Sequence, residues 1–234
     1  MTPQTSAVVV AVDGPAGSGK SSVSRGVASR LGWRYLDTGA MYRAITWALL
    51  DSGISVADPR EIARRAASIE LEPSTDPASP AIRVAGHDVS AQIRTAEVTS
   101  AVSAVSAVPE VREVLLRHQR EEVRSALDSG VGIVVEGRDI GTVVIPDAQV
   151  KVFLTADAAE RARRRDAEGN GDAAMSGDIE ATRQRIAERD RLDSTRAIAP
   201  LAQAPDAVVV DTTHMSLDEV IDTIVEMAHS AGAQ

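Results

Sequence analysis

The sequence predicts an α/β fold in which a parallel five-stranded sheet carries helices on both faces. Three observations support this prediction: short apolar runs, helical patterns between most of them, and a glycine-rich turn directly after the first run. Short apolar runs without alternation are typical of strands that are buried on both faces. We expect five buried strands, at 7–12, 34–36, 131–135, 150–154 and 207–210.

Helical patterns fill most of the intervals between these runs. One of them begins with Pro109 at a plausible first-turn position, and glycine follows the end of others. Ser216 and Glu219 have the spacing of a capping box at the start of the last helix. Strands that alternate with helices imply a mostly parallel sheet. The expected helices are 21–31, 40–50, 109–127 and 215–231.

Two regions depart from this alternation. Residues 72–93 contain several prolines and a short alternating run at 82–84, which predicts a small antiparallel insertion. Residues 157–196 are densely charged with both signs and are interrupted by a Gly/Asn/Asp break at 169–172. This pattern predicts two exposed helices joined by a loop, which together form a candidate helical lid.

Composition excludes several classes of protein. The chain has 234 residues of which 44% are apolar, so it can bury a sizeable core. It contains no cysteine, which excludes a disulfide scaffold, a cysteine-ligated metal and a cysteine nucleophile. A net charge of −9 argues against a nucleic-acid polymer as partner. Neither a signal-peptide pattern nor a membrane-length apolar run is present, so we expect a cytoplasmic protein without membrane association.

The glycine-rich turn matches the P-loop pattern G-x-x-x-x-G-K-[ST]. Its glycines allow backbone amides to converge on phosphate oxygens, and the following helix directs its positive dipole end at the same anion. Lys20 can reach the β- and γ-phosphates, and the Ser21 hydroxyl can bind Mg²⁺. The expected nucleotide-binding residues are Gly14, Pro15, Ala16, Gly17, Ser18, Gly19, Lys20, Ser21 and Ser22.

Other residues narrow the class of P-loop protein. A GTPase carries an N-K-x-D motif, but the only asparagine, Asn170, is not followed by lysine. A mechanical ATPase carries an acidic strand end, which 131–136 resembles, but Arg138 follows at once and suits a second phosphate group better. All basic residues except Lys20 and Lys151 are arginines, whose guanidinium groups bind phosphate in a bidentate manner.

Six sequence blocks extend this interpretation over nearly the whole chain. They are VDGPAGSGKSS (12–22), LDTGAMYR (36–43), VSAQIRTAEV (89–98), VREVLLRHQR (111–120), EGRDIGTVVIPDA (136–148) and ERDRLDSTRAIAPL (188–201). The ordered set resembles the bacterial cytidylate kinases, within the nucleoside-monophosphate kinases. Adenylate and shikimate kinases are related through the P-loop but lack this set.

The resemblance implies transfer of the γ-phosphoryl group of ATP to CMP or dCMP, with Mg²⁺. It also implies a pocket for the monophosphate in which arginines hold the phosphate. The implied residues of this pocket are Thr38, Tyr42, Arg43, Arg138 and Arg189.

The resemblance further implies which residues contact the base and the sugar of the acceptor. Ser103, Arg112 and Asp139 are expected to read the cytosine. Arg189 and Asp193 are expected to meet the sugar hydroxyls, and Arg196 matches an active-site arginine near the phosphates.

These assignments give a single P-loop kinase domain over 1–234, with a monophosphate-binding region at 38–108 and a lid region at 157–190. Thr38 and Glu136 stand where serine and aspartate are frequent in the family, and both keep the hydroxyl or the carboxylate. The expected catalytic residues are Lys20, Arg138, Arg189 and Arg196, and the expected lid arginines are Arg161, Arg164 and Arg165.

The chemistry of the acceptor agrees with this interpretation. A phosphate monoester is largely dianionic at pH 7, so it needs positive charge and alignment rather than a general base. Two alternatives stay open: a nucleoside kinase that uses Glu136 as base, and an ATP-dependent switch that transfers nothing. We expect a monomer that binds ATP and CMP or dCMP.

Overall fold

The computed structural model describes residues 7–167 and 179–232. Its main sheet has five parallel strands in the order β2-β6-β1-β7-β8. The predicted α/β fold with a parallel five-stranded sheet is therefore confirmed. The strands are β1 (Val9–Asp13), β2 (Arg34–Asp37), β6 (Ile133–Glu136), β7 (Val150–Thr155) and β8 (Val208–Asp211).

Helices cover both faces of this sheet. The four predicted helices are present with ends shifted by up to two residues, and the charged region contributes two more. Two short helices, α3 and α4, were not predicted. The helices are α1 (Lys20–Leu31), α2 (Thr38–Asp51), α3 (Pro59–Ala66), α4 (Ala96–Ser106), α5 (Pro109–Asp128), α6 (Ala158–Ala167), α7 (Ile179–Ser194) and α8 (Leu217–Gly232).

The central strand β1 separates two apolar cores. Because successive side chains of a strand point to opposite faces, Val9 and Ala11 pack in the core that contains residues of α2 and α5. Val10 and Val12 pack on the other face with residues of α1 and α8. Every residue of β1 is buried, so the loop that follows it starts from a fixed position.

The predicted insertion is a three-stranded antiparallel sheet in the order β3-β4-β5. Its strands are β3 (Leu71–Pro73), β4 (Ile82–Val84) and β5 (His87–Asp88). The Tyr35 amide of β2 donates to the carbonyl of Thr75, 2.9 Å away, which attaches the insertion to the edge of the main sheet.

The expectation that all five strands are buried is wrong for β8. Val208 and Val209 are about half exposed, at 48% and 49%. The physical reason is position: β8 lies at the edge of the sheet, next to β7 alone, whereas the opposite edge strand β2 is joined to the insertion. Within the described residues, no helix is both long and apolar enough to cross a membrane.

Candidate active site

The glycine-rich loop lies between β1 and α1, as the motif requires. Gly17 has a φ of +74°, and a Cβ on it would stand 2.7 Å from the carbonyl oxygen of Arg161. A side chain at this position would therefore collide with backbone, which explains the glycine. The loop is consequently packed against the start of α6.

Lys20 and Ser21 begin α1 and face the end of β6. Lys20 Nζ donates to the carbonyl of Pro15 at 2.7 Å, and the Ser21 hydroxyl donates to Glu136 Oε2 at 3.1 Å. Burial lowers the pKa of Lys20, and the nearby Arg138 lowers it further. Burial raises the pKa of Glu136, and Asp37 adds to this effect. The end of β6 therefore brings a carboxylate to the loop.

One cavity of about 180 Å³ gathers predicted residues from distant parts of the chain. Its walls come from the loop with the start of α1, α2, α4, α5, the turn after β6, α6, and the end of α7 with the residues that follow it. Ala16 and Gly17 of the loop reach it. The other predicted residues that line it are Lys20, Ser21, Thr38, Tyr42, Arg43, Ser103, Arg112, Arg138, Asp139, Arg165, Arg189, Asp193 and Arg196.

Three arginines from different elements crowd one part of this cavity. Arg43 donates to Thr99 Oγ1 at 2.8 Å, and Arg138 donates to the carbonyl of Gly14 at 2.6 Å. Burial, together with the nearby Arg138 and Arg43, lowers the pKa of Arg189 to about 9. Arg189 Nε is buried without a hydrogen-bond partner among residues 7–167 and 179–232. Like charges held this close favour an anion among them.

A buried ion pair occupies another wall of the cavity. Arg112 Nη2 donates to Asp139 Oδ2, and the two side chains are only 9% and 7% exposed. The Arg112 guanidinium also lies 5.4 Å from the centre of the Tyr42 ring. Burial raises the pKa of Asp139, and Arg112 opposes this rise. The cavity therefore offers a paired carboxylate and guanidinium beside an aromatic ring.

Thr38 and Arg196 complete the walls. The Thr38 hydroxyl donates to the carbonyl of Glu136 at 2.7 Å, so it ties the start of α2 to β6. Arg196 donates to the carbonyl of Ala199 at 2.9 Å, and its Nη1 lies 3.8 Å from Asp193 Oδ1.

The three predicted lid arginines of α6 lie in different places. Arg165 lines the cavity, whereas Arg161 and Arg164 do not. Arg161 donates to the carbonyl of Ala16 at 3.0 Å, and Arg164 donates to Thr212 Oγ1 at 2.8 Å. Part of the expected lid region, 168–178, lies outside the described residues.

Comparison with known proteins decides the family. The family model described as cytidylate kinase matches residues 10–230. The chain belongs to the cytidylate kinase family. A cytidylate kinase from Streptomyces griseus is 54% identical over 95% of this chain and 93% of its own length. One from Shouchella clausii is 48% identical over 96% of this chain and 97% of its own.

Solved structures agree with the fold. An uncharacterized protein from Eubacterium ventriosum aligns with a TM-score of 0.51 at 13% identity, over 95% of this chain and 98% of its own. At this identity the similarity concerns the fold alone. The matched range of the cytidylate kinase family includes both Lys20 and Arg196, so it spans all the cavity-lining residues named above.

Sequence reasoning missed two acidic residues that lie beside the P-loop. Asp13 is buried just before the loop, and its carboxylate accepts from the amides of Ile140 and Gly141, each at 2.8 Å. Burial raises the pKa of Asp13 to about 6, although these two amide bonds oppose the rise. Asp190 accepts from the amide of Ala16 at 2.9 Å. The only signal in the sequence was their adjacency to predicted site residues, Gly14 and Arg189.

The side-chain oxygen atoms at the start of α1 and the end of β6 fit a magnesium ion. Magnesium in phosphoryl-transfer sites is held by one or two protein oxygens together with substrate phosphates. The Ser21 hydroxyl and the Glu136 carboxylate, 3.1 Å apart, are donors of this kind. Within the described residues no group of three or more His, Asp or Glu side chains forms a separate metal site.

Proposed function

We propose that this protein transfers the γ-phosphoryl group of ATP to CMP or dCMP, giving ADP and CDP or dCDP. The observation that carries the proposal is the meeting of two phosphate-binding devices in one cavity. Lys20 follows the P-loop on one side, and Arg43, Arg138 and Arg189 converge on the other. A protein that only binds ATP would not need the second group of cations.

The donor nucleotide is assigned to the P-loop. Its backbone amides and the start of α1 would hold the β- and γ-phosphates, with Lys20 as a point charge on them. Ser21 would bind Mg²⁺, with Glu136 behind it. When bound, the ion would neutralise the negative charge that opposes the approach of two phosphate groups.

The acceptor phosphate is assigned to the arginines. A monoester dianion is already a nucleophile at pH 7, so no side chain has to remove a proton. Arg43, Arg138 and Arg189 would lower the repulsion between the two anions and align them. Arg196 and Arg165, which line the same cavity, are proposed to stabilise the group in transfer.

The base is assigned to the wall that holds the buried ion pair. Asp139 would accept from the 4-amino group of cytosine, while Arg112 and Ser103 would donate to its ring acceptors. Asp193 would meet the sugar hydroxyls together with Arg189. Uracil has a carbonyl in place of the amino group, which would leave the carboxylate without a donor.

The alternative of a nucleoside kinase with Glu136 as base is not favoured. Both carboxylate oxygens of Glu136 are engaged, Oε1 by the hydroxyl of Tyr35 and Oε2 by that of Ser21. The side chain is also buried at 3% exposure. To remove a proton from a sugar hydroxyl, the Glu136 carboxylate would first have to break at least one of these hydrogen bonds.

A coupled assay with ATP and Mg²⁺ tests the proposal. We expect ADP formation to depend on CMP or dCMP, to be much slower with UMP and AMP, and to be absent with cytidine. Chromatography of the products should show CDP in equal amount to ADP. Turnover with cytidine, or ADP formation that no monophosphate accelerates, would contradict the proposal.

A further inference from the structure

The peptide bonds around Ala16 in the P-loop are held by an ion pair between two helices. The amide of Ala16 donates to Asp190 Oδ1 at 2.9 Å, and its carbonyl accepts from Arg161 Nη1 at 3.0 Å. The same Nη1 atom lies 2.5 Å from Asp190 Oδ2. Arg161 belongs to α6 and Asp190 to α7, so three distant segments meet at one residue of the loop.

This contact is largely withdrawn from solvent. The side chains of Arg161 and Asp190 are 14% and 16% exposed. Arg161 Nε also donates to the carbonyl of Ala156 at 3.1 Å, which ties the guanidinium to the segment between β7 and α6. An ion pair that is buried, hydrogen-bonded to backbone and fixed at one end holds its geometry better than a surface pair does.

Asp190 lies on α7 between two residues assigned to the acceptor. Arg189 precedes it, and Asp193 follows one turn later. Asp193 Oδ2 accepts from Arg138 Nε at 3.1 Å, and Arg138 Nη1 lies 3.9 Å from Asp190 Oδ1. The position of α7 relative to the P-loop therefore determines where Arg189 and Asp193 lie.

We propose that Asp190, held by Arg161, is a positioning residue that fixes α7 against the P-loop and so aligns the acceptor phosphate with the donor. The inference rests on the proposed phosphoryl transfer. Transfer between two bound phosphates depends steeply on distance, and a displacement of ~1 Å costs about 100-fold in rate. Loss of the contact should thus lower kcat more than it changes either KM.

Steady-state kinetics of three variants test this role. Asp190→Asn keeps an oxygen for the Ala16 amide but loses the charge that faces Arg161, and we expect kcat to fall about 10-fold. Asp190→Ala loses both contacts, and we expect a fall of about 100-fold, with the KM values for ATP and CMP changed less than about 3-fold. Arg161→Met combined with Asp190→Ala should be no worse than Asp190→Ala alone, because the two side chains act as one unit.

Matched controls separate position from charge. Glu188→Gln removes a carboxylate from α7, and Arg163→Met removes a guanidinium from α6, and both side chains are exposed and do not line the cavity. Both controls should keep the kcat of the unmodified protein.

Several results would overturn the inference. One is an unchanged kcat with a lower melting temperature, which means a purely structural role. Another is a lower KM for ATP at unchanged kcat, which means that Asp190 obstructs the loop. If Asp190→Ala does not fold, the kcat of Asp190→Asn decides. Failure of the unmodified protein to form CDP would instead refute the proposed function, so the two failures are distinguishable.

Discussion

The donor and acceptor sides of the cavity are built in opposite ways. The donor side is one continuous stretch, 14–21, which offers backbone amides and a single lysine. The acceptor side consists of side chains from α2, α4, α5, the turn after β6, and the end of α7. A site made of backbone needs only the correct local sequence, whereas a site made of side chains needs the whole fold to bring it together.

The two sides also differ in how their cations are compensated. Lys20 is bonded to the carbonyl of Pro15 and faces the carboxylate of Glu136. Arg189 faces Arg138 and Arg43, which lower its pKa, with only partial relief from Asp193. Two carboxylates, of Glu136 and Asp190, offset the repulsion that arginines exert on Lys20, whereas Asp193 alone offsets the repulsion on Arg189. The acceptor side therefore holds the larger uncompensated positive charge, which a dianion would relieve.

Removal of the donor cation should have the largest effect on the reaction. We expect Lys20→Met to reduce kcat about 1000-fold, because one charge serves both the β- and γ-phosphates and no neighbouring side chain replaces it. Rapid-quench measurement of CDP formation at saturating ATP and CMP checks this. Lys151→Met is the matched control, since Lys151 pairs with Asp206 outside the cavity and should keep full activity. A loss below about 10-fold would show that the arginines compensate across the cavity.

Loss of one acceptor arginine should have a smaller effect, since others remain. We expect Arg189→Met to reduce kcat/KM for CMP about 100-fold and to leave the affinity for ATP nearly unchanged. Because the substitution also removes a buried charge from beside two like charges, the melting temperature should not fall.

Calorimetric ATP titration and thermal denaturation complete this test. Arg191→Met is the control, since Arg191 is exposed on the same helix and pairs with Glu188. A marked loss of thermal stability in Arg189→Met would contradict the electrostatic difference between the two sides.

The same difference explains what the sequence could predict. The P-loop and its flanking elements depend on residues that are neighbours in the chain, so they were found with ends within two residues of those observed. Arg138 was also found because it follows the end of a predicted strand, where ligands of parallel sheets bind. Arg43 and Arg189 were named through the family resemblance. The contact between Ala16 and Asp190 was missed because it joins residues 174 positions apart. The exposure of Val208 was missed because the sequence of a single strand does not determine whether that strand lies at the edge of the sheet.

Base recognition should show the smallest of these effects. We expect Asp139→Asn to narrow the preference for CMP over UMP about 10-fold in kcat/KM, because an amide can pair with either base. The two substrates should be assayed with the same enzyme preparation, with Asp147→Asn, an exposed residue nearby, as control. An unchanged ratio of kcat/KM for CMP to kcat/KM for UMP would show that Asp139 does not recognise the base.

The strand order has a consequence for how the chain is made. Strand β1 leaves the ribosome first, yet its neighbours are β6 and β7: Val9 pairs with Ile133, and Val10 pairs with Val150. At ~5–20 residues per second, the ribosome needs on the order of 10 s to deliver these partners. The complete P-loop is therefore synthesised before the strands that fix β1 in the sheet. During that interval β1 has neither of its partner strands, and the P-loop takes its final position only after β7, which ends at Thr155, has been made.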